Sequence, residues 1–385
     1  MLLIESDGKD LFKAHGIPVA PSFLMESDED KCGPPDSDTH DGQWVVKAQL
    51  PVGGRGKAGG IVRASNEQEV RAAVRAMLGG RLKGHEIKAC LVEEAVSGQE
   101  HYLAIVVDAG QGGIRLMYSR EGGVDIESAA QQEGKVFQER LAMDRDLFND
   151  ALQNLAAWIA DESAGQIVEC ARKLGGMFFD LGLLVAEINP LFIDEDGDVL
   201  AGDAKVVIDL NAIERTPDLM DMLRRHSAWY PDAWRKIQED FDFIEIDAQG
   251  SIGLITTGAG LSMMLLDELI ARGARPYNFA DVRTGQMRGD PARLTTMFGW
   301  LGKASGLRVV LINVFAGITD LEEFAQTLVK ALDQLPGWDV PIVARLIGNN
   351  EQRAHAILDG QAGRVRFEPD LEKAMDLAVS IGRAD

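Results

Sequence analysis

Cysteine, cationic charge and long apolar runs are all scarce in this chain, and each shortage removes a class of protein. Its three cysteines, Cys32, Cys90 and Cys170, lie far apart and form no C-x-x-C pair. Neither a zinc ligand set nor a disulfide framework is expected, and reduced thiols in a cytoplasm fit best. No apolar run reaches the roughly 18 residues of a membrane span. The opening MLLIESDGKDLF has an early acid and no long apolar core, so it does not read as a signal peptide. Lys and Arg number 39 against 61 Asp and Glu, a net charge of −22. Such an acidic surface disfavours nucleic acid and anionic membrane as partners, while a local cationic pocket remains open to a small anion.

What is present points to packed α/β domains. Hydrophobic residues make up 46% of 385 positions, enough for two or three cores. Residues 5–15 read as a short helix and 27–43 as a polar surface loop. Strands are expected at 44–49, 60–63, 90–94, 101–107, 114–119, 183–193 and 199–208, with helices at 67–78 and across 151–174. Residues 215–242 carry Pro217, Pro231, Trp229, Trp234 and many charges, and read as a connector with short helices. We place a domain boundary near 243. Beyond it the rhythm becomes strand, glycine turn, helix: 252–257, Gly258-Ala259-Gly260, 261–272; then 309–314, a turn at 316–319, 320–332; then 340–346 and 351–358. That repeat predicts a doubly wound parallel sheet.

Two constellations carry chemistry. The first is KAQLPVGGRGKAGGI at 47–61, in which Gly54, Gly56 and Gly59 spell G-x-G-x-x-G. A dinucleotide fingerprint requires a helix directly after the glycines, and strand-like Ile61-Val62-Arg63 follows instead. A P-loop would need Gly at Pro51 and Ser or Thr at Ala58. What remains is a strand–loop–strand unit bearing Lys47, Arg55 and Lys57, either an anion nest or a solvated hairpin tip. The second is a hairpin with a turn at 194–198, which sets Asn189 opposite Asp203 and clusters Glu187, Asn189, Asp203 and Lys205 on one face. Oxygen ligands so placed suit Mg²⁺ shared with substrate phosphates; the alternative is an exposed polar edge. The turn lacks the glycine and glutamate of a calcium loop.

Taken in order, KAQLPVGGRGKAGGI, LVEEA, SREGGVDIE, AEINPLFI, GDAKVVIDLNA, TTGAGLSMMLLDELIARGARPYNFADV, INVFAGIT and VPIVARLIGNN resemble the succinyl-CoA synthetase β-subunit family along nearly the whole chain. The resemblance implies an ATP-grasp domain, 1–242 with the connector, then a flavodoxin-like CoA-ligase domain, 243–385. It implies ATP or GTP and CoA as substrates, Mg²⁺ as cofactor, and a small carboxylic acid joined to CoA. Lys47, Gly53, Gly54 and Arg55 would contact the phosphates, Glu93 and Val96 the adenine, and Glu100 the ribose. Asn189 and Asp203 would bind Mg²⁺, and Glu187 would steady a phosphohistidine visiting the site. None of the six histidines (His15, His40, His85, His101, His226, His355) lies in a glycine-rich active-site loop. The resemblance assigns that histidine and most of the CoA site to an α subunit.

Thr257 and the Gly317-Ile318-Thr319 turn would complete the acid site, the turn opening a helix as an anion seat with a Thr319–Glu322 capping box. Three departures fall in that half: Thr257 replaces the family's asparagine, Arg283-Thr284-Gly285 a triple glycine, and Ala316-Gly317-Ile318-Thr319 its Gly-Gly-Ile-Val. The acid is then succinate or a relative such as malate or a sulfonated carboxylate, with Arg283 either meeting an extra anionic group or lying on the surface. A stand-alone ATP-grasp ligase and a non-catalytic regulatory paralogue are the remaining alternatives.

Overall fold

The computed structural model describes residues 1–30, 43–122 and 134–383. Part of the expected polar loop, Cys32, His40 and the end of SREGGVDIE lie outside the described residues. The chain divides into two compact units, Met1–Met222 and Leu223–Asp385.

The first unit holds two antiparallel sheets. Strands β1 (Ser22–Met25), β2 (Trp44–Ala48), β3 (Ile61–Ala64) and β6 (Cys90–Glu94) form one, in the order β1-β6-β2-β3. The helix Glu67–Met77 starts on an Asn66 side chain that accepts the Glu69 N–H, and buries Val70, Val74 and Met77 with Val46 and Val92 of this sheet. The short pair β4 (Arg81–Leu82) and β5 (His85–Glu86) lies apart. Strands β7 (Gln99–Asp108), β8 (Gly113–Ser119), β9 (Val136–Leu141), β10 (Leu183–Ile193), β11 (Val199–Ala201) and β12 (Lys205–Ile208) form the other sheet, ordered β11-β10-β7-β8-β9 with β12 also on β10. The helical stretch expected across 151–174 is two helices, Arg145–Ile159 and Ala164–Asp180. The first ends at Ala160, whose φ of 55° is left-handed and cannot continue a helix.

In the second unit β13 (Asp242–Glu245), β14 (Ile252–Thr256), β15 (Asn278–Asp281), β16 (Val309–Asp320), β17 (Ile342–Asn349) and β18 (Val365–Phe367) are ordered β13-β15-β14-β16-β17-β18. Only β13 is antiparallel, at the edge. The five parallel strands follow the flavodoxin-like 2-1-3-4-5 order. Alternation along the strands divides the core. Ile252, Leu254, Val309, Leu311 and Val343 pack on residues of the helices Ala259–Ala271 and Leu371–Arg383. Ile255, Val310, Ile312 and Ala344 pack on residues of Ala292–Leu301, Leu321–Asp333 and Glu351–Asp359. Helices therefore cover both faces, as the strand–turn–helix rhythm predicts.

Candidate functional site

The site in the first unit is built on a buried ion network. β2 carries Lys47, whose ammonium lies 2.8 Å from Glu5 Oε1 and 2.5 Å from Glu93 Oε1 on the neighbouring β6. Glu5 and Lys9 come from the N-terminal helix Glu5–Ala14, paired at 3.0 Å one turn apart, and Lys9 also pairs with Glu93. Both lysines donate to the Gly202 carbonyl, Lys47 at 2.8 Å and Lys9 at 3.1 Å. A Cβ on Gly202 would lie 2.3 Å from a Phe192 ring carbon, so only glycine brings that carbonyl in. Arg55 turns inward from the glycine loop, donating to Ala48 O at 3.1 Å and to Glu5 Oε2 at 2.7 Å, and reaching Asp203 at 3.2 Å.

Burial alone would raise the Glu5 carboxyl, but Lys47, Lys9 and Arg55 outweigh it and hold the group far below the usual carboxylate range. Burial alone would likewise lower the Lys47 ammonium, yet Glu5 and Glu93 push it well above its ordinary value. Asp203 moves the other way. Burial and then the nearby Glu5 charge raise it, against Arg55 and Lys47. A cation beside Asp203 would relieve that.

The glycine loop makes no dinucleotide turn. Gly54 and Gly59 adopt φ of 70° and 81°, a single 3-10 turn spans Gly56–Ala58, and β3 follows. Across from it, the carboxylate hairpin keeps the expected frame: Ile193 pairs with Val199 and Glu187 with Lys205, which sets Asn189 opposite Asp203. The expected strand 199–208 is interrupted there, and Gly202 N–H donates to Pro190 O at 2.9 Å across the break. The loop from Gly53 to Lys57 and the face bearing Glu187, Asn189, Asp203 and Lys205 line one cleft of about 510 Å³. Lys205 pairs with Glu187 at 2.9 Å.

The structure thus brings together Lys47, Gly53, Gly54, Arg55, Glu187, Asn189 and Asp203. Glu93 joins them through its lysine pairs. Val96 lines a second cleft with Pro18, Phe192 and Leu200, and Glu100 is exposed on β7. Glu5 and Lys9 escape sequence reasoning. Their i,i+4 spacing is the one visible signal, and it is shared by ordinary solvated helices. Among the described residues no three His, Cys, Asp or Glu side chains form a metal cage. Asn189 and Asp203 therefore suit an ion that takes its other ligands from water and phosphate, which is the habit of Mg²⁺.

In the second unit, Thr257 follows β14, donating its N–H to Asn313 O at 3.4 Å, while its buried hydroxyl oxygen has no partner. Thr319 is buried, 2.7 Å from the Thr284 hydroxyl. Gly317 and Ile318 belong to β16, which runs on to Asp320. The expected helix opening at 317–319 and its Thr319–Glu322 capping box are therefore corrected. Asp320 is the N-cap, accepting from Glu322 N at 2.9 Å and Glu323 N at 3.4 Å. Because β16 runs on through Thr319, Asp320 stands at the helix start, and its carboxylate fills the terminus expected to seat an anion. Arg283 is bound to Asp240 at 2.9 Å and Asp242 at 3.1 Å, so its charge is already paired.

Two antiparallel sheets with a cation-lined cleft, followed by a doubly wound sheet, define a ligase of the ATP-grasp class with an attached CoA-ligase domain. Family models match accordingly: ATP-grasp domain over residues 2–193 and CoA-ligase over 255–368. The chain belongs to the succinate–CoA ligase β-subunit family, whose members are acid–thiol ligases. It is 36% identical to the ADP-forming β subunit of Chloroflexus aggregans, over 94% of this chain and 93% of that one. It is 31% identical to the GDP-forming β subunit of Thermus thermophilus over the full length of both. The ATP citrate lyase of Methanothrix soehngenii, solved with citrate and coenzyme A, shares the fold, with a TM-score of 0.72 at 16% identity over 98% of this chain and 99% of that one. No helix among the described residues is long and apolar enough to cross a membrane.

Proposed function

We propose that this chain is the nucleotide-binding β subunit of an ADP-forming acid–CoA ligase. The observation that carries this is one cleft with Arg55 and the glycine loop on one side and Asn189 and Asp203 on the other, with Lys47 buried behind it on the cleft-lining Glu5. In this reading the backbone N–H groups around Gly53 and Gly54 approach the phosphates of ATP or GTP, and Lys47 and Arg55 balance their charge. Asn189 and Asp203 hold Mg²⁺, which would neutralise charge on the transferred phosphoryl group. Glu187, at the cleft wall, orients a histidine of an α subunit, which takes the phosphoryl group. The acid then becomes an acyl phosphate, and the CoA thiol displaces phosphate to form the thioester. An α partner also supplies most of the CoA site.

A second reading keeps this chemistry and changes the acid, to malate or a sulfonated carboxylate for example. Two observations favour it. Thr257 replaces the usual asparagine and keeps an unpartnered hydroxyl, and the helix after β16 is closed by its own Asp320. The pairing of Arg283 with Asp240 and Asp242 removes that arginine as the cation for an extra anionic group.

The purified complex with its α partner, supplied with nucleotide, Mg²⁺, CoA and a panel of small acids, tests both. Nucleotide-dependent thioester formation is expected. Asp203→Ala is expected to lower it at least about 100-fold, as loss of a metal ligand in phosphoryl transfer does. No thioester with any acid would overturn the ligase reading. Turnover with succinate equal to or better than with every other acid would overturn the altered-acid reading.

A further inference from the structure

The N-terminal helix contributes a carboxylate whose position is hard to explain by stability. The Glu5 side chain has no exposed surface, and its two oxygens are divided between three cations. Oε1 faces Lys9 at 3.0 Å and Lys47 at 2.8 Å, and Oε2 accepts from Arg55 Nη2 at 2.7 Å. Buried ion clusters are seldom more stable than apolar packing of the same volume, so stability alone is a weak reason for this one. Its geometry suggests another. The nitrogen of Arg55 that binds Glu5 is the same one that reaches Asp203, at 3.2 and 3.5 Å to the two carboxylate oxygens. Arg55 is thus shared between the two carboxylates, with Glu5 the nearer. The helix bearing Glu5 is itself fastened beneath the loop. Ser6 N–H donates to Gln49 Oε1 at 3.0 Å, and Lys9 binds Glu93 and the Gly202 carbonyl.

We propose that Glu5 is a positioning residue of the nucleotide site: it holds Lys47 and Arg55 for the phosphates and, by sharing Arg55, keeps that guanidinium from closing fully on Asp203. Asp203 is thereby left for the metal ion. The inference rests on the cleft being the Mg-nucleotide site. Removing the Glu5 charge leaves Asp203 as the nearest anion for Arg55 Nη2, and the existing pair tightens and competes more strongly with Mg²⁺. Two other roles are distinguishable. A purely structural brace would affect folding alone. A competitor that occupies Lys47 and Arg55 until nucleotide arrives would weaken binding when present and strengthen it when removed.

The test uses the full chain, titrated by calorimetry with ADP at a series of Mg²⁺ concentrations. Glu5→Gln is expected to raise the Mg²⁺ concentration needed for half-maximal ADP affinity about tenfold, the worth of one charge-assisted hydrogen bond. An unchanged Mg²⁺ dependence would reduce Glu5 to a brace, and tighter ADP binding would make it a competitor; either result overturns the proposal. Lys47→Met separates the two levels. If it leaves ADP affinity unchanged, the cleft is not the nucleotide site. If it weakens ADP while Glu5→Gln does nothing, only the positioning role fails. Should the glutamine variant not fold, Glu5→Asp keeps the charge and loses one methylene of reach. It carries the same expectation at about threefold, part of that bond's worth.

Discussion

Single buried ionisable groups in this chain are settled by what surrounds them, and sequence shows little of that. Lys47 and Arg55 were legible because a glycine-rich loop surrounds them, whereas Glu5 and Lys9 sit in a helix whose sequence resembles any charged surface helix. His101 is a second such case. It is 2% exposed on β7, its Nδ1 lies 2.6 Å from the Tyr118 hydroxyl, and its Nε2 has no partner. Burial, and then the Arg120 charge, lower its pKa below the ordinary value. The native state therefore binds fewer protons than the unfolded chain once the pH falls below the unfolded pKa of about 6.5. Stability from this residue is complete above that pH and declines as the solution is acidified through it. Urea midpoints between about pH 8 and pH 5.5 should fall for the native chain and fall less for His101→Gln, across the range where an unperturbed histidine titrates. Parallel pH profiles for the two would show that His101 protonates without penalty.

Among the elements, hydrogen-bond geometry decided what periodicity left open. Strand positions and the hairpin frame followed from alternation and from the turn at 194–198, so Glu187, Asn189 and Asp203 fell on one face as expected. The break at Gly202 did not, because it depends on the Phe192 ring and on two lysine partners remote in sequence. The helix Leu321–Asp333 starts within one residue of the expected 320, but its cap is Asp320 rather than Thr319: both are good caps by composition, and only the backbone path of β16 selects between them. Asp320 also accepts from Asn350 Nδ2 at 2.9 Å, which ties this helix to the turn before the next one. Asp320→Ala should cost about 1–2 kcal/mol in urea unfolding, the upper range for a lost cap. Thr319→Ala, which removes only the hydroxyl pair with Thr284, should cost less, about 1 kcal/mol at most. The reverse ranking would return the cap to Thr319.

At the scale of the molecule, sequence rhythm predicts the second unit's architecture, since strand–turn–helix repeats allow few topologies for a parallel sheet, whereas the first unit's architecture is expected only from the family resemblance. Charge is the other property that belongs to this scale. A formal net charge of −22 means an excess of carboxylates that cations cannot all pair, so folding gathers repulsion as well as apolar area. The buried network of Glu5, Lys9, Lys47, Glu93 and Arg55 is shielded from solvent ions, whereas the exposed carboxylates are not. Raising NaCl from about 10 mM to about 300 mM shortens the screening length from roughly 30 Å to well under 10 Å. The long-range repulsion is lost first, because it acts over distances that short surface ion pairs do not. The melting temperature should therefore rise with salt, and the rise should level off once screening is complete. A melting temperature that falls over that range would mean that exposed pairs such as Arg272 with Glu372 and Asp376 contribute more than the net charge removes.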